Sequence, residues 1–278
     1  MTQKKTALIT GCSAHGIGSA LAQAFHARGV HVFATARSLT KMSHLAKEYP
    51  DMTLLELDVT SPQDIEKAVA TVRAHTGGTL DFLVNNSGVP LVRPALETDL
   101  AEARALFEVN FWGVVRVTSA FAELVVNARG VVVNVGSLGG NMGVVWNSFY
   151  AASKAALKSY GETLRLELAP FGVRVVTIMS GVVGTNIFTR HPELNFEGSM
   201  YEPATEGIRK MAAGAKIKDP MAPSEYAAKV VDDLLAGKNG LVWRGRAASI
   251  GWFLTTWMPQ WVLDWIGTTG MGLDKLGK

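Results

Sequence analysis

The sequence predicts an α/β fold: one doubly wound domain, a parallel sheet with helices on both faces, followed by a tryptophan-rich helical extension. Three observations carry this. Short apolar runs alternate with longer helical stretches from the start of the chain to about residue 185, the pattern of βαβ units. A glycine-rich turn joins the first strand to the first helix, at Thr10–Gly18. Beyond residue 246 the composition changes: Ala247–Ile266 holds four of the seven tryptophans with Asp264 as its only charged residue.

In chain order, Thr6–Thr10 reads as a strand, Ile17–Arg28 as a helix and Val30–Ala36 as a strand. Thr53–Asp58 is a third strand, and Pro62–Ala74 the helix after it. Leu80–Asn85 is the fourth strand. A long helix over Leu100–Val126 leads to the strand Val131–Val135, and a helix over Ser148–Pro170 leads to Val173–Met179. Strands this short, apolar throughout and separated by helices suit a parallel sheet covered on both faces. The segment at about 186–222 mixes Pro, Gly and polar residues without clear periodicity, as expected of a substrate loop over a site. Pro223–Ala236 is amphipathic, and Leu241–Trp243 reads as a last edge strand. Residues 1–246 are therefore expected to form one domain, and 247–278 the extension.

The 278 residues are 48% hydrophobic and 18% charged, a globular composition long enough for a sizeable core. A net charge of +3 without a Lys/Arg cluster points away from nucleic acid. Cys12 is the only cysteine, so neither an intrachain disulfide framework nor a cysteine metal cluster is expected, and no metal site is assigned. The N-terminus lacks a signal-like apolar region, which makes an intracellular, cytoplasmic setting the expectation.

In the turn, Gly11, Gly16 and Gly18 let backbone approach a diphosphate. Ser13, His15 and Ile17 complete the path into a helix N-terminus whose free N–H groups favour anions. The second strand ends Ala36-Arg37, with no carboxylate to bind a ribose 2′-hydroxyl. A guanidinium matches phosphate in fork geometry, so Arg37 favours NADP(H), with His15 as a further donor. Taken alone, either residue also reads as an ordinary exposed side chain.

Tyr150 and Lys154 stand four apart in Tyr-Ala-Ala-Ser-Lys, on one helical face. An ammonium beside a phenol favours the phenolate and makes the tyrosine a usable general acid/base. The isolated spacing has a bland reading as well, a solvated helix face. With the glycine turn, Asp58-Val59, Asn85-Asn86-Ser87-Gly88, Asn110 and Ser137 in this order, the chain resembles the short-chain dehydrogenase/reductase family, in its single-domain Rossmann-type branch, over about residues 6–185.

The resemblance implies a catalytic tetrad of Asn110, Ser137, Tyr150 and Lys154. Tyr150 exchanges the proton, Ser137 steadies the carbonyl oxygen, Lys154 lowers the Tyr150 pKa and holds the nicotinamide ribose, and Asn110 supports a water chain. It also implies cofactor contacts at Asp58, Val59, Asn86, Gly88, Val183 and Thr185, and at Tyr150 and Lys154 themselves. Within the family, the Thr-Gly-Cys-Ser opening, the lengthened turn and Ala36-Arg37 are most similar to the fungal 1-acyldihydroxyacetone-phosphate reductase-like subgroup, itself similar to hydroxysteroid dehydrogenases. The reaction implied is hydride transfer between NADPH and a ketone or secondary alcohol. The expected assembly is a homo-oligomer, dimer or tetramer.

Three departures stand out. Four residues separate Gly11 from Gly16, Ser87 replaces the commoner alanine, and Ser180-Gly181 replaces Pro-Gly. The last is expected to loosen the loop carrying Val183 and Thr185. Leu138, Met142, Val144 and Trp146 make the approach to Tyr150 apolar, with Phe188 and Met200 on the other wall. Such a site suits a lipophilic substrate, although ordinary packing or a subunit interface explains the same residues. Trp257, Trp261 and Trp265 recur every fourth residue, which on one helix forms one stripe. Three readings of that stripe stay open: a docked helix, a lid, or peripheral contact with a membrane or lipid droplet, docking being the default.

Overall fold

The computed structural model describes residues 4–186, 194–214 and 219–277. Seven parallel strands form one sheet: β1 (Thr6–Ile9), β2 (His31–Ala36), β3 (Thr53–Glu56), β4 (Phe82–Asn85), β5 (Val131–Val135), β6 (Arg174–Ser180) and β7 (Gly240–Arg244). Their order is β3-β2-β1-β4-β5-β6-β7, as expected for a doubly wound sheet. The order reverses between β1 and β4, and ligands of such sheets bind at the carboxyl ends of the strands there.

The helices are α1 (Ile17–His26), α2 (Ser43–Glu48), α3 (Pro62–Thr76), α4 (Leu100–Phe107), α5 (Gly113–Ala128), α6 (Ser148–Leu168), α7 (Thr205–Ala212), α8 (Pro223–Leu235), α9 (Ala248–Trp257) and α10 (Gln260–Thr268). Side chains of each strand alternate between two cores. Ala7, Ile9, Val84, Val133 and Ile178 pack with Leu21 and Phe25 of α1 and Tyr226 and Val230 of α8. Leu8, Leu83, Val132 and Val175 pack with Val72 of α3 and Phe121 and Leu124 of α5. This is the period-two consequence of the pleat. Helix α3 shows local encoding clearly. The Ser61 hydroxyl accepts from the Asp64 N–H, Pro62 takes the first turn, and Gly77 ends the helix at φ +68°.

Two expectations need correction. The stretch expected as one helix over Leu100–Val126 carries a π turn at Glu108–Trp112 between α4 and α5. The extra residue per turn alters the facing of side chains at that point, and Asn110 within it is fully buried. The extension is likewise not one helix. It breaks at Met258, extended at φ −90°, ψ 144°, ahead of Pro259, since the residue before proline is disfavoured in the helical region. The stripe is accordingly split, with Trp257 on α9 and Trp261 and Trp265 on α10.

The helices α9 and α10 dock through glycine instead of tryptophan. A Cβ at Gly251 would overlap Leu138, and one at Gly267 would overlap the Gly143 carbonyl. The outward tryptophans stay 46–71% exposed. A third apolar cluster joins Trp146, Leu194, Phe196, Ile208 and Met271, tying the chain end to the segment before α6.

At the far edge of the sheet, the rings of His31 and His75 stack at 4.3 Å. Burial, then the charge of His75, hold His31 below its ordinary 6.5, with Asp51 opposing. A histidine depressed in the folded state is protonated first in the unfolded chain. Stability is therefore full above 6.5 and falls as pH drops below it. The expected result is a thermal midpoint that declines on mild acidification, with a shallower decline in His75→Phe, measured by calorimetry across the histidine range.

Candidate active site

The glycine turn leaves β1 at its carboxyl end, beside the switch point. Gly11 has φ +74°, and a Cβ there would press on Asn86 and Ser87 at 3.1 Å. One at Gly18 would overlap the Gly11 carbonyl oxygen, so the turn and α1 close tightly only with glycine. The extra residue is absorbed in a tight turn. The Gly16 N–H donates to the Ser13 carbonyl at 3.2 Å, the Ala14 N–H donates to the Lys41 carbonyl at 3.1 Å, and His15 takes φ +60°. Ile17 opens α1 behind them. Ser87 Oγ lies against the Gly11 site, so the hydroxyl at that departure is accommodated.

Asn86 braces this loop. Its Nδ2 donates to the carbonyls of Thr10 and Gly11 at 2.8 and 3.1 Å. Expected to touch cofactor, its side-chain amide is engaged with the turn. Arg37, past the end of β2, is exposed and has no hydrogen-bond or ion-pair partner among the described residues. Asp58 accepts from the Thr60 N–H and hydroxyl at 2.9 and 2.7 Å, which shapes the turn after β3. Val59 is buried beside Gly113, where a Cβ would meet it at 2.7 Å.

Tyr150, Ser137 and Lys154 come together as expected. Ser137 precedes the short turn Leu138–Gly140, and its Oγ accepts from the Gly139 N–H at 3.1 Å. Its hydroxyl faces the Tyr150 phenol. Lys154 is buried, and its Nζ donates to the Val135 carbonyl at 2.9 Å and stands 5.9 Å from the Tyr150 ring centroid. The expected lowering of the phenol pKa by Lys154 is not what the geometry yields. Burial pushes the Tyr150 pKa up, opposed by the Ser137 hydrogen bond. Burial also pushes Lys154 down to about 8. Tyr150 is therefore a neutral phenol at neutral pH.

Asn110 is clamped more tightly than a water relay requires. Its Oδ1 accepts from the Val89 N–H at 2.8 Å, and its Nδ2 donates to the Val89 carbonyl at 3.0 Å and to Ser153 Oγ at 3.2 Å. A Cβ at Gly88 would lie 3.4 Å from Asn110 Oδ1 and 3.6 Å from Lys154 Nζ. The π turn thus positions the Gly88–Val89 bend over the lysine.

The loop after β6 is held, contrary to the looseness expected of Ser180-Gly181. Ser180 Oγ and Tyr226 Oη are hydrogen-bonded at 2.6 Å within the core. The Gly181 N–H donates to the Arg244 carbonyl at 2.8 Å, and Val182 and Val183 bridge to Arg246 and Met221. Replacing proline by serine frees a hydroxyl for Tyr226 and lets β6 run on beside β7. Val183 is buried and Thr185 half-buried on this anchored segment. Nothing in the residue types alone signalled the Ser180–Tyr226 pair, since the two lie 46 positions apart.

Met142 lines a groove of about 320 Å³ with Gly143, Ala152, Gln260 and Leu263, on a flank of α6 away from Tyr150 and Lys154. Leu138 is covered by α9 at Gly251, and Val144 is half-buried. Trp146, expected on the substrate wall, is instead a packing residue. It is 5% exposed, at φ +67°, and its Nε1–H donates to the Met271 carbonyl at 3.0 Å. Met200 is exposed, and Phe188 lies outside the described residues. Cys12 plays no chemical part; it is buried, with its thiol pushed up to about 12.

A glycine cradle at the switch point, beside a phenol, a hydroxyl and a buried ammonium, equips a protein to bind a nucleotide and move a proton. The short chain dehydrogenase profile matches residues 5–194, and the chain belongs to that family of oxidoreductases. Short-chain dehydrogenase ptmH of Penicillium ochrochloron is 44% identical over 272 residues, covering 98% of this chain and 100% of that one. The NADPH-dependent 1-acyldihydroxyacetone phosphate reductase of Schizosaccharomyces pombe is 45% identical over 187 residues, 67% of this chain and 62% of its own. A short chain dehydrogenase from Burkholderia cenocepacia, solved in complex with NADP, superposes with a TM-score of 0.74 at 25% identity, covering 96% of this chain and 98% of that one.

Proposed function

We propose that the protein is an NADPH-dependent reductase of lipophilic ketones, interconverting a ketone and its secondary alcohol. The observation that carries the reading is the convergence of the Ser137 hydroxyl, the Tyr150 phenol and the buried Lys154, whose Nζ stands 5.9 Å from the Tyr150 ring centroid. A phenol kept protonated is the form that donates, so the arrangement favours reduction at neutral pH. Ser137 donates to the same carbonyl oxygen as its negative charge develops. Lys154, still largely charged below about 8, supports the phenolate left behind.

The cradle fits the cofactor. Gly11, Gly16 and Gly18 let the turn close tightly against Asn86 and Ser13 ahead of the α1 N-terminus, whose free N–H groups suit a diphosphate, and Gly88 keeps the space beside Lys154 open. Arg37, exposed and unpaired, would take a 2′-phosphate. A relative described as NADPH-dependent and a structural neighbour in complex with NADP support this choice. Bound there, the nicotinamide would supply the hydride. The run before Tyr150 carries Leu138, Met142 and Val144, apolar side chains that favour a hydrocarbon-rich substrate over a sugar.

The test is oxidation of NADPH with a panel of ketones of graded polarity. No turnover with any lipophilic ketone, in either direction, would remove the reading. Cofactor choice is separable: Arg37→Ala should raise the NADPH KM about tenfold or more while leaving NADH nearly unchanged, the effect of one charge-assisted phosphate contact. An equal effect on both cofactors would discard the phosphate role.

A further inference from the structure

Among the described residues, the outward face of α9 and α10 gathers exposed apolar side chains that the cores and the site leave unused. Ile250, Phe253 and Trp257 are 63, 49 and 66% exposed, and their spacing of three and four residues sets them on one stripe. Trp261 and Trp265, 71 and 66% exposed, form the matching stripe on α10. The opposite faces are fixed to the protein by Gly251 and Gly267, so the exposed side chains stand on a rigid support.

Neither helix can cross a bilayer. Ten and nine residues rise about 15 and 14 Å, against about 30 Å of hydrocarbon. Among the described residues the one stretch long and apolar enough is Leu100–Ala128, which contributes Phe121 and Leu124 to the core.

Charge identifies the occupant. Residues 238–278 contain five Lys/Arg (Lys238, Arg244, Arg246, Lys275 and Lys278) and two Asp/Glu (Asp264 and Asp274). The other 237 residues hold 22 of each sign, so the whole net charge of +3 lies in this segment. Lys238 and Arg244 share a single carboxylate, Asp233, at 2.8 and 2.7 Å. Together with Ser249 and Trp252, on the flank of α9 beside the stripe, they line a groove of about 280 Å³. Arg246, at the foot of the α9 stripe, pairs with exposed Asp219, and Lys275 shares Glu206 with Lys210. A second copy of the chain would bring the same positive segment against itself, whereas an anionic surface complements it. Indoles on a rigid face with cations beside them are the side chains that settle at a headgroup boundary.

We propose that the α9–α10 face docks on the surface of an anionic phospholipid bilayer, lying on it without spanning. Tryptophans enter the headgroup region, and Lys238 and Arg244 meet lipid phosphates at the rim.

The test is flotation of the full chain with phosphatidylcholine vesicles with and without phosphatidylserine, together with quenching of tryptophan fluorescence by brominated lipid. The expected results are co-flotation enhanced by phosphatidylserine and weakened by salt, quenching on contact, and a loss of binding of about tenfold or more in the Trp257→Ala/Trp261→Ala/Trp265→Ala variant, as removal of three interfacial indoles implies. Far-UV circular dichroism of that variant should be unchanged, because the three side chains are exposed. Absence of flotation and quenching in the wild type, or full binding by the triple variant, would overturn the proposal. So would light scattering that shows a wild-type dimer converted to monomer by the same substitutions, which would make the face a homotypic interface.

Discussion

Tyr150→Phe is expected to lower kcat about a thousand-fold while leaving NADPH affinity nearly unchanged. The substitution removes one oxygen from a half-buried ring that keeps its packing, so the loss is chemical. General acid–base groups contribute roughly a hundred- to ten-thousand-fold, and this phenol is the group poised to give the proton. The Ser137 hydroxyl can still meet the carbonyl oxygen but has no proton donor beside it to complete the transfer. Because burial holds the phenol neutral, the wild type should reduce ketones well at neutral pH. Alcohol oxidation, which needs the phenolate, should rise with pH. Lys154, down at about 8, loses its charge as pH passes that value, weakening support for the phenolate. A pH–rate profile in both directions separates these effects; identical profiles would contradict the assignment.

Gly181→Ala should be among the most damaging single-methyl substitutions outside the glycine turn. A Cβ at Gly181 would overlap the Arg246 carbonyl oxygen and lie 3.0 Å from the Ala248 N, and both are backbone atoms. Arg246 cannot retreat easily, since its N–H donates to the Val182 carbonyl at 3.0 Å and its carbonyl accepts from the Val182 N–H at 2.9 Å. Overpacking costs about 1–3 kcal/mol, more where backbone must move, so a loss of about 3 kcal/mol is expected. Val183 and Thr185 follow directly, so activity should fall beyond what the stability loss explains. Urea denaturation and kcat measured on the same variant test both parts. A variant as stable and active as wild type would mean that the loop is not held by the extension.

What was legible in the chain is what short-range pattern encodes. Alternating runs placed all seven strands, because a parallel sheet buried on both faces requires continuous apolar residues. The glycine turn, Ser137, Tyr150 and Lys154 were legible because each lies at a strand end or on one helical face. The π turn at Glu108–Trp112 was not, since one extra residue in a helix leaves no mark in composition. The break before Pro259 was signalled by the proline itself and was hidden by the regular spacing of the tryptophans. Trp146 reads as a substrate residue by its neighbours; only the tertiary bond to the Met271 carbonyl, 125 positions away, shows it to be packing. The Ser180–Tyr226 pair was likewise beyond a local reading. A serine in place of proline suggests freedom until its partner on α8 is in view.

The central claim is that hydride passes to a ketone carbon while Tyr150 supplies the proton to its oxygen. Single-turnover reduction of a lipophilic ketone with NADPH deuterated at the transferable position, followed by mass spectrometry of the alcohol, tests it most directly. The expected product carries one deuterium on the carbinol carbon, and its formation is lost in Tyr150→Phe. An alcohol without deuterium, or one formed at the wild-type rate by Tyr150→Phe, would contradict the account.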